Sequence, residues 1–252
     1  MFLAIYGMGG LGRETLDLAY YINSKTHKYE RIIFIDDFTD IKSYQYLTDS
    51  IEVLSYSKFH KQYKENVEIT IAQGMPKYRQ DIYKSIAQCY PLASLIHPNA
   101  TISPSAKISH GAIVFQYATI STNTILGKNI LVLPNANITH DCMIGSHSVL
   151  SYGTTICGNV VLGESVYIAP HSVIRERIQI GGNAIIGMGS VVLRNIEKNQ
   201  VAYGNPAKIQ HNPIKTLFRH QDKWGGGYNN QITTIPSLYL HSTYYTSHKD
   251  IV

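Results

Sequence analysis

The first chemistry-bearing residues lie close to the start of the chain. Gly7-Met8-Gly9-Gly10-Leu11-Gly12 fits Gly-x-Gly-x-x-Gly and follows the apolar run Phe2-Leu3-Ala4-Ile5-Tyr6. Such glycines let a backbone approach a pyrophosphate, and a helix opening behind them supplies free N–H groups and the positive end of its dipole. Asp36 and Asp37 close a second apolar run, Ile32-Ile33-Phe34-Ile35, where a carboxylate can accept from a ribose or a base N–H. Further along, His110, His140, His147 and His171 offer imidazoles, whose reference pKa of about 6.5 suits proton exchange near neutrality.

The elements needed to position the glycines are present. Between the two apolar runs, Leu16, Leu18, Ala19 and Ile22 mark the apolar face of a helix, giving strand, glycine loop, helix, strand. A third strand is expected at 67–72 and a helix at 77–88, which completes a small three-layer α/β, Rossmann-like domain over residues 1–95. A dinucleotide fold needs two mononucleotide halves, so this length fits one nucleotide better than NAD. The plain alternative is that the glycines only make a tight turn and the aspartates only end a strand.

Composition narrows the class. Of 252 residues, 44% are hydrophobic and 15% charged, enough apolar material for a core and too little charge for a disordered chain. Net charge is +5 with no run of Lys or Arg, which fits anionic small molecules better than a nucleic-acid groove. Cys89, Cys142 and Cys157 have no C-x-x-C spacing and read as free thiols. No run of about 18 apolar residues exists to span a membrane, and no signal peptide opens the sequence, so a cytoplasmic protein is expected.

The strongest pattern starts at Ile96. Every sixth residue from there to Val192, seventeen in succession, is Ile, Leu or Val, and a usually small residue follows four positions later. Neither a period of 3.6 nor one of 2 explains a strict six. The hexapeptide repeat signals an all-β parallel β-helix of triangular coils, three hexapeptides per turn, over residues 96–209. It holds between five and six coils, and the unbroken run predicts no protruding loop.

The chain resembles the bacterial hexapeptide-repeat sugar acetyltransferases of the NeuD/PglD type. The likeness rests on IYGMGGLGRE at 5–14, FIDDF at 34–38, LIHPNATI at 95–102, THDCMIG at 139–145 and AYGNPAKI at 202–209. It implies a left-handed β-helix and a homotrimer with sites between subunits. It also implies acetyl transfer from acetyl-CoA to a nucleotide-linked amino sugar in bacterial glycan synthesis, with no metal. By the same likeness His140 is the general base and Asp141 its acidic partner. Gly7, Gly9, Gly10, Gly12, Asp36 and Asp37 then bind the sugar nucleotide, and Gly158, Met188, Gly204, Pro206 and Lys208 bind the cofactor. The family's second histidine, nine residues after the base, is replaced by Val149.

The chemistry agrees with these residue types. A neutral imidazole can take a proton from an attacking amine, and an adjacent carboxylate raises its basicity and fixes its tautomer. As third and fourth residues of the hexapeptide that begins at Ile138, His140 and Asp141 are expected to project outward together at a coil corner, with Cys142 packed inside. O-acetylation of a sialic-acid-like sugar is the near alternative. Remote ones are a zinc enzyme like the γ-class carbonic anhydrases, using histidines between subunits, and a binding subunit without turnover. His110, His147 and His171 are otherwise expected at the surface, solvated or hydrogen-bonded. Residues 210–252, with Trp224 and a Tyr-rich tail, lose the rhythm; capping the prism, packing on a neighbour and disorder all stay open.

Overall fold

The structure is a computed structural model and describes residues 1–210. The expectations for Trp224 and the tail therefore lie outside the described residues. The first unit runs β1 (Phe2–Tyr6), α1 (Gly10–Thr26), β2 (Arg31–Ile35), β3 (Ser43–Tyr46), β4 (Asp49–Leu54), α2 (Tyr56–Gln62), β5 (Val67–Ile71) and α3 (Pro76–Ile86). Its sheet has the order β3-β4-β2-β1-β5, parallel except for the antiparallel β3–β4 pair at one edge.

The expected strand at 67–72 is thus the fifth in the chain rather than the third. A hairpin and a short helix that no sequence pattern announces lie between Asp37 and Val67. Their apolar residues are few, with Ile51, Val53 and Leu54 on β4 and Phe59 on α2, so no long periodic run marks them.

Strand residues alternate between two apolar layers. Leu3, Ile5 and Phe34 pack with Leu16 and Ala19 of α1 on one side of the sheet. Ala4, Ile33, Ile35 and Ile69 pack with Phe59 of α2 and Ile86 of α3 on the other.

From Leu95–Ile96 to Val191–Val192 the chain forms seventeen two-residue strands in three parallel sheets. The periodic aliphatic is the second residue of each strand and points inward. The three faces are named by their strands in the second coil: Ile113–Val114 (first), Thr119–Ile120 (second) and Ile125–Leu126 (third). Each strand pairs with those eighteen residues before and after it, as Leu131 does with Ile113 and Val149. Beyond Val192, Ile196 and Ala202 close over the last coil, and Val201–Tyr203 pairs antiparallel with Lys208–Ile209. Among the described residues, no helix is long and apolar enough to cross a membrane.

The first face differs from the others because its outward residues in the first four coils are buried. Leu95, Ile113, Leu131 and Val149 join Phe115, Leu133, Met8 and Leu18 in one apolar cluster, so α1 lies between its own sheet and the prism. Burial of Val149 against this unit means that the position nine residues after His140 faces a docked domain.

A buried polar latch reinforces the contact. Arg79 of α3 is fully buried, donating from Nε to Asn129 O at 3.1 Å, from one terminal nitrogen to Asn129 Oδ1 at 2.6 Å, and from the other to the carbonyls of Ile71 and Gln73. Asn129 is bonded in turn to His147 Nδ1 at 3.1 Å, and Tyr83 presses its ring on His147 at 4.8 Å. His147 is consequently no solvated surface group: it is 7% exposed, and burial, then Arg79, Lys84 and Lys128, push its pKa down to about 4. His110 stays at the surface, its Nε2 3.3 Å from Tyr83 OH, and His171 is exposed.

Two predictions follow from the latch. Arg79→Met leaves four carbonyl acceptors without donors, and is expected to lower stability by about 3 kcal/mol and Tm by roughly 10 °C in thermal melts. His147 is neutral when folded, whereas the unfolded chain takes up its proton below about pH 6.5. Stability should therefore fall as pH drops from there toward 4, and urea melts of His147→Asn should show a shallower slope in that window.

Candidate active site

His140 and Asp141 sit in the third coil, at the corner between the second and third faces. Their backbone is clamped from both sides: Asp141 N–H donates to Thr122 O one coil earlier at 2.9 Å, and His140 O accepts from Asn159 N–H one coil later at 3.1 Å. Asp141 adopts a left-handed φ of 59°, which Asp and Asn tolerate better than most residues. This turn lets neighbouring side chains leave on the same side, where a straight strand would send them to opposite faces.

Asp141 Oδ2 lies 2.8 Å from His140 Nδ1. An ionised carboxylate only accepts, so Nδ1 carries the proton and Nε2 the lone pair. Hydrogen bonds from His140 and then Asn123, whose Nδ2 is 3.1 Å from Oδ1, hold the Asp141 carboxyl below the ordinary carboxylate range. Both partners are open to solvent, at 57% and 44% side-chain exposure. Cys142 is fully buried with its thiol donating to Cys157 O at 3.2 Å, a packing role that matches its small inward position.

Gly158, one coil above, forms the seat of the imidazole. A Cβ built there would come within 2.5 Å of His140 Cε1. Neither Asn123 nor this seat is marked by a motif in the sequence. Their offset of eighteen residues from Asp141 and His140 was the available signal, because eighteen residues is one coil.

The remaining candidates fall into two other groups. Gly9 and Gly10 face open space at the start of α1, whose first turn has no side-chain cap and no acidic residue, so its free N–H groups can meet an anion. Gly7 and Gly12 shape the loop: Gly7 has φ 106°, and the two backbones touch where a Cβ on Gly12 would sit. Asp36 Oδ2 accepts from Met8 N–H at 2.9 Å, and Asp37 accepts from Tyr6 OH at 2.8 Å and Tyr56 N–H at 2.7 Å. Both aspartates thus brace the loop and its neighbouring strand ends with oxygens that retain further lone pairs.

Met188, Gly204 and Pro206 gather at the far end of the prism. Met188 is 76% exposed in the sixth coil, at the corner between the first and second faces. Gly204 N–H donates to Ser190 Oγ at 3.2 Å, and Gly204 O accepts from Val191 N–H at 3.0 Å. Lys208 lies on the closing strand opposite Tyr203. Gly158 is apart from this group, two coils before Met188 and on another corner.

A cleft of about 470 Å³ runs between α1 and that same first corner, lined by Glu14, Asp17, Tyr21, Tyr117 and Tyr152 among others. The imidazole is one corner further round, beyond the second face. Among the described residues no three His, Cys, Asp or Glu converge as a metal-ligand group.

Comparison with known proteins sharpens this picture. Residues 2–86 match the PglD N-terminal domain, and residues 159–194 match the bacterial transferase hexapeptide repeats. The acetyltransferase domain of PglB from Neisseria gonorrhoeae FA1090 superimposes with a TM-score of 0.75 at 30% identity, covering 83% of this chain and 99% of that one. The chain belongs to the PglD-type hexapeptide acetyltransferase family. The same PglB domain in complex with acetyl coenzyme A gives a TM-score of 0.76 at 29% identity, over 83% of this chain and 98% of that chain. The GDP-perosamine N-acetyltransferase of Escherichia coli O157:H7 is 32% identical over 127 residues, 49% of this chain; the match spans 55% of that relative's length.

Gly158→Ala gives the seat a direct check. Gly158 has no left-handed φ, so alanine fits the backbone and the imidazole must move instead. The expected outcome is a Tm close to the parent's and a kcat in acetyl-transfer assays lower by about 10²-fold.

Proposed function

We propose that the chain is an acetyltransferase that moves the acetyl group of acetyl-CoA onto the amine of a nucleotide-linked amino sugar. The reading is carried by the exposed His140, whose Nδ1 is committed to Asp141 at 2.8 Å and whose Nε2 is left as a base. The acetyl-CoA complex of the PglB domain and the GDP-perosamine N-acetyltransferase supply the co-substrate and the acceptor class.

In this reaction the sugar amine attacks the thioester carbonyl while His140 Nε2 takes the proton the amine sheds. The C–S bond then breaks, and the coenzyme A thiolate recovers that proton from the imidazolium, so the base is regenerated. Asp141 stabilises the imidazolium between these steps. Backbone N–H groups at the glycine corners are suited to the oxyanion, and the acetyl-CoA arm would run from Gly158 toward Met188, Gly204, Pro206 and Lys208. Three coils separate His140 from Met188, about 14 Å along the prism at the spacing of paired strands.

Residues 1–95 would hold the nucleotide with its phosphates at Gly9, Gly10 and the start of α1, while 96–209 carry the transfer. The glycine loop belongs to the unit docked on the first face, whereas the imidazole stands at the corner beyond the second face, which favours a homotrimer in which one subunit's bound sugar meets a neighbour's base. Such a reaction suits the cytoplasm, as a step in glycan synthesis. O-acetylation uses the same base with a hydroxyl as nucleophile.

His140→Ala should lower kcat by about 10²–10⁴-fold, with KM for acetyl-CoA little changed. Assays over a panel of nucleotide amino sugars, with NMR of the product, would report an amide. An ester product would move the reading to O-acetylation, and full activity in the variant would remove His140 as the base.

A further inference from the structure

The carboxylate that holds His140 is itself held. Asn123 stands eighteen residues before Asp141, at the equivalent corner of the preceding coil, and donates from Nδ2 to Oδ1 at 3.1 Å while Oδ2 faces the imidazole. We infer that Asn123 is a positioning residue: it pins one oxygen of Asp141 so that the other stays on His140 Nδ1 and the lone pair stays on Nε2. Its kinetic consequence rests on the acetyl-transfer reading above; its structural consequence does not.

The need arises from exposure. The torsion that turns a carboxylate about its own axis is broad, and at 44% exposure water competes for both oxygens of Asp141. An imidazole beside a freely turning carboxylate populates both neutral tautomers, and one of them has its proton on the nitrogen that must accept. A second donor on the far oxygen removes that freedom.

Asn123 is well fixed to serve. Its own N–H donates to Ser105 Oγ one coil further back at 3.0 Å, and the neighbouring Thr122 O receives Asp141 N–H. Asp141 is therefore tied to the preceding coil through backbone and side chain together.

Asparagines at other corners, such as Asn129, Asn135, Asn159 and Asn183, share the left-handed backbone, so backbone preference alone explains an Asn at this place. What sets Asn123 apart is the atom its amide meets. Serine or glycine satisfies the backbone without reaching Oδ1, and aspartate sets a like charge beside it.

Asn123→Gly keeps the positive φ without strain and deletes only the amide. Asn123→Asp keeps the shape and replaces the donor with an acceptor. In ¹⁵N NMR of the full chain at a pH where imidazole is neutral, the parent should show His140 as the Nδ1–H tautomer. Both variants should gain the Nε2–H form, and kcat should fall about fivefold in the glycine variant and further in the aspartate one.

Asp141→Asn presents an amide to Nδ1 and breaks the same hold, so adding Asn123→Gly to it should cost no more activity. A parent-like tautomer ratio in both variants, or additive losses in the double variant, overturns the inference. If His140→Ala still transfers acetyl, the base assignment fails, and the tautomer ratio alone still decides whether Asn123 positions the ring.

Discussion

Coil-on-coil hydrogen bonding at a fixed step of eighteen residues is the constraint from which the rest descends. Each strand meets its neighbours in perfect register, so residues one coil apart lie about 4.8 Å apart along the prism. That step stacks Ser105, Asn123 and Asp141 in one column, and sets His140 against the space left by Gly158 on the next coil. No loop has to fold around the imidazole. Its geometry is inherited from strands whose interior is a ladder of Ile, Leu and Val.

The second dependence is the seating of the nucleotide-type unit on the prism. An apolar face alone would let two flat surfaces slide. Arg79 gives the contact a defined register, because its fork of donors matches carbonyls on both units at once. Its charge has no carboxylate beside it among these bonds, and burial draws its pKa below the usual guanidinium value, while it stays protonated at neutral pH.

Sequence reading was strongest where a period was long. Seventeen aliphatics in step could mean only stacked coils, and the corner position of His140 and Asp141 followed from counting within one hexapeptide. It was weaker where contact is made by residues far apart in the chain. His147 looks like any corner histidine until Arg79, Tyr83 and Asn129 close over it, and the burial of Val149 depends on a domain that docks from residues 1–95. The β3–β4 hairpin was missed because its strands are short and half polar. Doubled aliphatics at Leu95-Ile96, Ile113-Val114, Leu131-Val132 and Val149-Leu150 carry a hint of the docked face, blurred by similar pairs such as Ile125-Leu126, whose outward residue Ile125 stays exposed.

The left-handed residue that recurs at nearly every corner has an evolutionary reach. Asn123, Asn129, Asp141, His147, Asn159, Ser165 and His171 all occupy it with φ between 53° and 65°. A scaffold whose turns already accept Asn, Asp, Ser or His at one repeated backbone geometry can exchange those side chains without refolding. Reactive groups can accordingly be acquired, lost or moved to another level of the stack by single codon changes, which makes this architecture a ready substrate for divergence among enzymes that share a cofactor but not an acceptor.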